Sequence, residues 1–462
     1  MSNPSVILLE FNELTPAVIE RFMAEGHLPN FSRFAGEAVR FTTRAEEPFT
    51  LLEPWIQWVT VHSGLAYKEH GVLKLDQGHH LAAPRLWDLV SREGRRSWVC
   101  GSMNVNYEAD CDAYVLPDPW CTKVAPRPDE LRPFFDFVQT TVQEHTNEAH
   151  AASPAAYARF AAWMLQRGLS MDSVTSIMKQ LSTERFDRTQ WKRPAVLDQL
   201  QFDVFSHYYR RLRPAFSTLF LNSTAHFQHA YWDSMEPAAY SDGAGSGERT
   251  RFKDAIRFGY EQMDALLGRI LQLAGSDVTL VLCTALSQEP SRGERDFYRP
   301  RDIDALIRLA GLPAHVSVAP VMTQQFFVEF ADTASVEDAV TRLAAVRWND
   351  QPALRTRRDG LRLFVSCGIR SRVPAGATLA FGDSRLPFED VFYRVPTRKV
   401  ADHNPDGLFW IRQPDRATAT VAETVPLTSV APTLLKLLGI GIPDYMGEPV
   451  PTSAMAAQTT TA

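Results

Sequence analysis

The sequence predicts an α/β protein: a parallel-type sheet covered by helices on both faces, interrupted by a helical insertion and by a small α+β cap. Three observations carry this. Short apolar runs recur at VILLEF (6–11), SWVCGS (97–102), AFSTLFLNS (215–223) and VTLVLCT (278–284), bounded by polar residues as buried strands are. Stretches with helical spacing lie between them. Two long segments, 130–212 and 297–398, break that rhythm.

The first run is followed by TPAVIERFMAEGHLPNF, apolar at Val18, Ile19, Phe22 and Met23, with Gly26 as the stop. The segment 130–212 holds AAYARFAAWMLQRGL and VLDQLQFDVFSHYYRRL and reads as helices throughout. In 297–398, QQFFVEF, SVEDAVTRLAAV and LRLFVSC give strand, helix and strand. EPAAYSDGAGSGERT at 236–250 has loop composition. The resulting division is core 1–129, helical insertion 130–212, core 213–296, cap 297–398, core 399–450 and a tail at 451–462.

The chain has 462 residues, 45% hydrophobic and 22% charged, with a net charge of -6. That balance points away from nucleic acid and from an anionic membrane surface as partners. No apolar run approaches the ~18 residues of a spanning helix. The start, MSNPSVILLEFNE, has no basic leader region and reads as a first strand, so a cytoplasmic location is expected. The 5 cysteines show no CxxC spacing, which argues against a thiolate metal site or a disulfide framework.

Ordered motifs then narrow the field. VILLEFNELTP is followed by LPNFSRF. PWIQWVTVHSGLAYKEHGV carries Trp55, Trp58, Thr60, Ser63, Gly64, His70 and Gly71. DHNPDGLFWI stands at 402–411 and SVAPTLLKLLGIGIPDYMGEPV at 429–450. In this order the segments resemble the alkaline phosphatase superfamily, in its type I phosphodiesterase/nucleotide pyrophosphatase branch. The resemblance implies an alkaline phosphatase-like three-layer αβα sandwich. It also implies two divalent ions that activate a Ser or Thr nucleophile against a phosphoryl group.

Position by position, the machinery that the resemblance implies is missing. The first-strand Asp is Asn12, and the nucleophile is Pro54. The Asp-x-x-x-His ligand pair is Ala225 and His229, the Ser-Asp-His run is Thr284, Ala285 and Leu286, and the late His is His403. Zinc needs about three or four N, O or S donors at ~2.0–2.3 Å, and alanine and leucine have none. No cofactor is therefore expected; if one divalent metal is held, His229, His403 and Asn12 are the candidates.

Other ionisable groups stand in the same segments. Glu10 shares strand parity with Asn12, so both are expected to face the cleft at the carboxyl end of the sheet. Glu13 occupies a position where the resembled family has Gly. Glu10, Glu53, His62, His226, His229 and His403 are the acid–base candidates, since carboxylates in apolar surroundings and histidines exchange protons near neutrality. Asn12, Glu13, Trp55, Gln57, Gln228, Trp232 and Asp402 are candidate substrate contacts, with Asp402 placed to orient His403.

Each has a plainer reading. Glu10 serves equally as a buried hydrogen-bonding group, His62 and Gln57 as helix packing and capping groups, Trp55 and Trp58 as core, and His70 as a turn residue. Three functions stay open: a hydrolase or group transferase with rebuilt Glu/His chemistry on a small polar, phosphorylated or glycosidic substrate; a phosphodiesterase or phosphatase with one remaining metal; and a non-catalytic binding protein.

Overall fold

The computed structural model describes residues 4–144, 153–187, 189–240, 250–291, 296–320, 325–382, 384–395, 399–414 and 418–451. The expected tail from 452 on and most of the 236–250 loop lie outside them. The chain divides into two compact units, one of 1–228, 246–289 and 401–462, the other of 229–245 and 290–400.

In the first unit an eight-stranded sheet forms from β1 (Val6–Phe11), β2 (Val39–Arg44), β3 (Ser97–Cys100), β4 (Ala113–Leu116), β5 (Phe216–Leu221), β6 (Thr279–Cys283), β7 (Asp406–Arg412) and β8 (Ala419–Pro426). Its spatial order is β8-β2-β7-β6-β1-β5-β3-β4. β1 is parallel to both β5 and β6, and β3 is parallel to β4 and β5. All six residues of VILLEF are buried, as expected of a strand covered on both faces. β7 alone runs antiparallel to its neighbours β2 and β6. Its start therefore lies beside the ends of β1 and β6, and the polar residues just before it arrive at the sheet's carboxyl-end edge.

The helices follow from spacing and punctuation. α1 (Pro16–Ala24) buries Val18, Ile19 and Phe22, and Gly26 follows it at φ 81. α2 (Pro29–Gly36) follows. α3 (Pro54–Ser63) starts with Pro54 in its first turn and ends at Gly64 in the left-handed region, φ 71. Proline costs nothing at that start, because the first-turn N–H groups have no intrahelical acceptor. Nine residues of α3 are buried, with Trp58 and Val61 packed among Leu8, Phe41, Trp87, Phe409 and Leu434.

Of the helices in 130–212, α4 (Arg193–Leu212) packs on β3. The Trp98 and Phe205 rings stack at 6.4 Å, and the Trp98 indole donates to the Phe205 carbonyl at 3.2 Å. The segment expected as a helical insertion lies in the same unit as the sheet, and Trp98 covers part of its apolar face. α5 (Ser223–Met235), α6 (Ala255–Ala274) and α7 (Val430–Leu438) complete the helices used below.

The second unit has its own core. Strand Gln325–Glu329 pairs antiparallel with Arg362–Cys367 and with Ser317–Pro320, and helix Thr333–Ala344 buries Val336, Ala339 and Leu343. Phe326, Val328, Val365 and Leu379 fill the interior. This is the strand–helix–strand pattern read from QQFFVEF to LRLFVSC. The expected 297–398 falls within this unit, which spans 290–400 and also takes in 229–245.

Candidate functional site

The site is built where β1, β5 and β6 end. Asn12 N–H donates to the Leu221 carbonyl at 3.0 Å and Glu13 N–H to the Thr284 carbonyl at 3.4 Å, so both residues are held between the two neighbouring strand ends. Glu13 sits at φ 59, in the left-handed region. For a residue with a Cβ that conformation costs about 1–2 kcal/mol relative to glycine, and it persists where surroundings overdetermine it.

Those surroundings are specific. The Asn12 amide donates to Glu13 Oε1 at 2.8 Å and to Asn222 Oδ1 at 2.8 Å, while its oxygen accepts the Trp58 indole N–H at 2.8 Å. Glu13 Oε2 accepts from the Gln288 amide and lies 3.3 Å from His403 Nε2. On the other side of that ring, His403 Nδ1 lies 3.6 Å from Glu53 Oε2. One imidazole therefore stands between two carboxylates. Glu13 and His403 are 3% and 8% exposed, whereas Glu53 is 33% exposed and opens the group to water.

Glu53 reaches His403 because it precedes α3 without capping it through its side chain; its backbone carbonyl accepts from Ile56 and Gln57 at 2.9 and 3.1 Å. His403 reaches Glu13 because the strand Ala401–Asn404 leads directly into β7. Gly407 lets β7 approach closely, since a Cβ there would meet the Thr43 and Thr284 hydroxyls at 2.9 Å each.

Below this cluster lies a second pair. Glu10 Oε1 and His62 Nε2 are 2.7 Å apart at 0% and 2% exposure, and Glu10 Oε2 has no hydrogen-bond partner. Trp58 stacks on the His62 ring at 6.0 Å. Glu10 and Asn12 do share a direction, as parity requires: they meet His62 and Trp58, four residues apart on one face of α3. Glu10 is nevertheless enclosed rather than facing an open cleft, because β5 and β6 flank it and α3 covers it. Burial, opposed by the Ala285 N–H and reinforced by the Glu10 carboxylate, pushes the Cys283 thiol up to about 12. All five cysteines are buried and unpaired.

Several expected substrate contacts have other work. Gln228, fully buried, donates to the Glu13 carbonyl at 2.8 Å and accepts from the Tyr260 hydroxyl at 2.6 Å. Gln57 donates to the Leu51 carbonyl at 3.1 Å, and Trp55 to the Leu73 carbonyl at 3.0 Å. Asp402 is buried beside His403, but adjacent strand residues alternate faces, so the carboxylates set against that ring are Glu13 and Glu53 instead. His226 is exposed on α5. His229 and Trp232 belong to the second unit. There His229 is half-buried and its carbonyl accepts from Val400, while the Trp232 indole donates to Glu236 at 3.0 Å. His70 accepts from Val72 N–H through Nδ1 at 3.0 Å, so Nε2 carries the proton toward Thr60 Oγ1 at 3.3 Å; burial pushes its pKa down to about 4.

Gln288, Asn222, Tyr260 and Asp198 escape the sequence reading. Asp198 accepts from the Asn222 and Ser223 N–H groups at 3.3 and 3.0 Å and so anchors the start of α5; burial, opposed by those bonds, raises its pKa to about 6. The one available signal was Gln288, the second polar residue after the replaced Thr284–Leu286 run.

The residues do not fit the two-ion centre that the sequence resemblance implies. Ala225, Ala285 and Leu286 are buried and without donors. Asn12, expected as a ligand if one ion is held, has its oxygen on Trp58 and its nitrogen toward Glu13, so the carboxylate of Glu13 replaces it beside His403.

No protein-family profile matches the chain, and no curated protein matches it. Solved structures similar to it include murine ectonucleotide pyrophosphatase/phosphodiesterase 5, an inactive form in complex with AMP, at 10% identity, 96% of this chain, 97% of that chain and TM-score 0.45. Phosphonoacetate hydrolase from Sinorhizobium meliloti, in complex with phosphonoacetate, is similar at 12% identity, 95% of this chain, 96% of that chain and TM-score 0.42. At these values the likeness carries no argument about activity.

Proposed function

We propose that the chain is a hydrolase or group transferase acting on a small polar substrate, phosphorylated or glycosidic, by carboxylate–imidazole acid–base chemistry. The observation behind this reading is His403 held between Glu13 and Glu53, with Glu13 kept in a left-handed backbone where glycine would be cheaper. Both ring nitrogens face carboxylates. The group holds one proton as a neutral imidazole between two carboxylates, or two as an imidazolium between them. It can therefore take one proton and return it while the ring stays between the two carboxylates. In a hydrolysis, His403 with Glu13 takes the proton of an attacking water or substrate hydroxyl, and Glu53, the exposed member, returns a proton to the leaving group. Glu10 and His62 hold the floor rather than touching substrate.

The test is turnover of a panel of small phosphate esters and glycosides by the purified chain and by Glu13→Gln, Glu53→Gln and His403→Ala. Activity lost in Glu13→Gln and His403→Ala, with cooperative unfolding retained, is the expected result. A substrate turned over equally by all four proteins would remove the reading.

A second reading, a hydrolase using one divalent ion, is favoured by the same Glu13–His403 approach of 3.3 Å, since a carboxylate and an imidazole are ordinary zinc donors. Calorimetric titration with zinc separates the two. Tight binding that His403→Ala removes, with activity that tracks zinc, favours the ion.

A further inference from the structure

A cavity of about 690 Å³ opens at the opposite end of the sheet, lined by Ser5, Arg95, Arg96, Tyr209, Arg210 and Arg213 among others. Ser5 precedes β1, Arg96 precedes β3, and Arg213 follows α4, just before β5. The six residues of β1 rise ~3.3 Å each, so roughly 20 Å of strand separates this cavity from Asn12 and Glu13. Four arginines line it, and no Asp or Glu does, although the chain as a whole carries a net charge of -6.

Part of this charge has a structural use. Arg96 pairs with Asp112 at 2.8 Å. Arg95 donates to the Leu438 carbonyl at 2.7 Å and to the Pro4 carbonyl, tying the chain's start to the end of α7. Arg210, at the carboxyl end of α4, is favoured by the helix dipole. That account leaves three facts over. The buried Nε of Arg95 has no acceptor. Among the described residues, no carboxylate lies within ion-pair distance of Arg210 or Arg213. Arg213 ends α4 at φ 47, ψ 56, the left-handed position that glycine fills at least cost.

We propose that this cavity binds the polyphosphate group of a small molecule. Guanidinium forks match phosphate oxygens in pairs. The volume lies in the range of small-ligand sites, about 300–1,000 Å³, and leaves room beside Tyr209 for an organic part. The site is separate from the Glu13–His403–Glu53 cluster and does not depend on what that cluster does.

Calorimetric titration of the full chain with sodium tripolyphosphate, and separately with ATP, tests this at low and at moderate salt. Binding of tripolyphosphate that weakens with salt is expected. It should fall about tenfold or more, one charge-assisted contact, in Arg213→Gly. That variant relieves the left-handed strain and so keeps the fold, which guards against a misfolded Arg210→Glu/Arg213→Glu double variant. Glu13→Gln should bind as the parent does. Equal binding by Arg213→Gly and the parent, loss in Glu13→Gln instead, or binding of ATP without tripolyphosphate would each overturn the proposal.

Discussion

Glu10 on β1 and His62 on α3 are joined at 2.7 Å, at 0% and 2% exposure, with the second oxygen of Glu10 unpartnered. One proton bridges the pair in the interior, and neither member has water to turn to. Removing either one strands the other, which typically costs about 3–5 kcal/mol, whereas replacing both with apolar residues of similar volume is often nearly neutral. His62→Ala is therefore expected to lose about 3–5 kcal/mol in urea unfolding, and Glu10→Met/His62→Leu to recover most of it. A double variant that loses the sum of the two single losses would show that the pair is not coupled. A change at Glu10 removes little buried apolar area, and by area alone it would spare the fold. The stranded imidazole is the reason to expect otherwise.

Glu13 gives a prediction of opposite sign. Glycine at this position relieves the left-handed strain at φ 59, and alanine does not. Glu13→Gly is expected to be about 1–2 kcal/mol more stable than Glu13→Ala, and both to be inactive under the acid–base reading. Calorimetric or urea unfolding of the two variants decides the first part. Equal stability would mean that the backbone relaxes there.

His70 ties stability to pH. Its folded pKa of about 4 lies below the unfolded value near 6.5, so the unfolded chain binds the extra proton. The stabilisation is complete above pH 6.5 and is lost as pH falls from 6.5 toward 4, by on the order of 3 kcal/mol at most. His70→Gln keeps an acceptor for Val72 and a donor for Thr60 without titrating. Its stability is expected to fall less than the parent's over that window, as unfolding at pH 7 and 4.5 would show.

The metal content follows from three side chains. Ala225, Ala285 and Leu286 stand buried at positions where the resembled family has ligands. Purified protein dialysed against zinc is expected to hold fewer than two ions per chain by elemental analysis, and two tightly held ions would contradict the site as described.

Much of this was legible in the chain itself. The apolar runs of β1, β3, β5 and β6 announced buried strands, since only apolar side chains can line both faces of a covered sheet. Gly26 marked the stop after α1, because backbone preferences at a helix end are local. Period-two parity put Glu10 and Asn12 on one side. The loss of donors at Ala225, Ala285 and Leu286 needed no coordinates.

The partners were decided by the tertiary structure. Nothing local to Glu53 or Glu13 says that they close on opposite nitrogens of His403; that depends on β7 running antiparallel and starting beside the ends of β1 and β6. Gln228 and Gln57 looked available for substrate because an amide is polar. Whether it meets solvent or a buried carbonyl is set by which backbone group another segment leaves unsatisfied, here the Glu13 and Leu51 carbonyls. The enclosure of Glu10 has the same origin. Strand parity fixes the side of the sheet on which it lies, but only the packing of α3, with Trp58 over His62, determines that this side is shut.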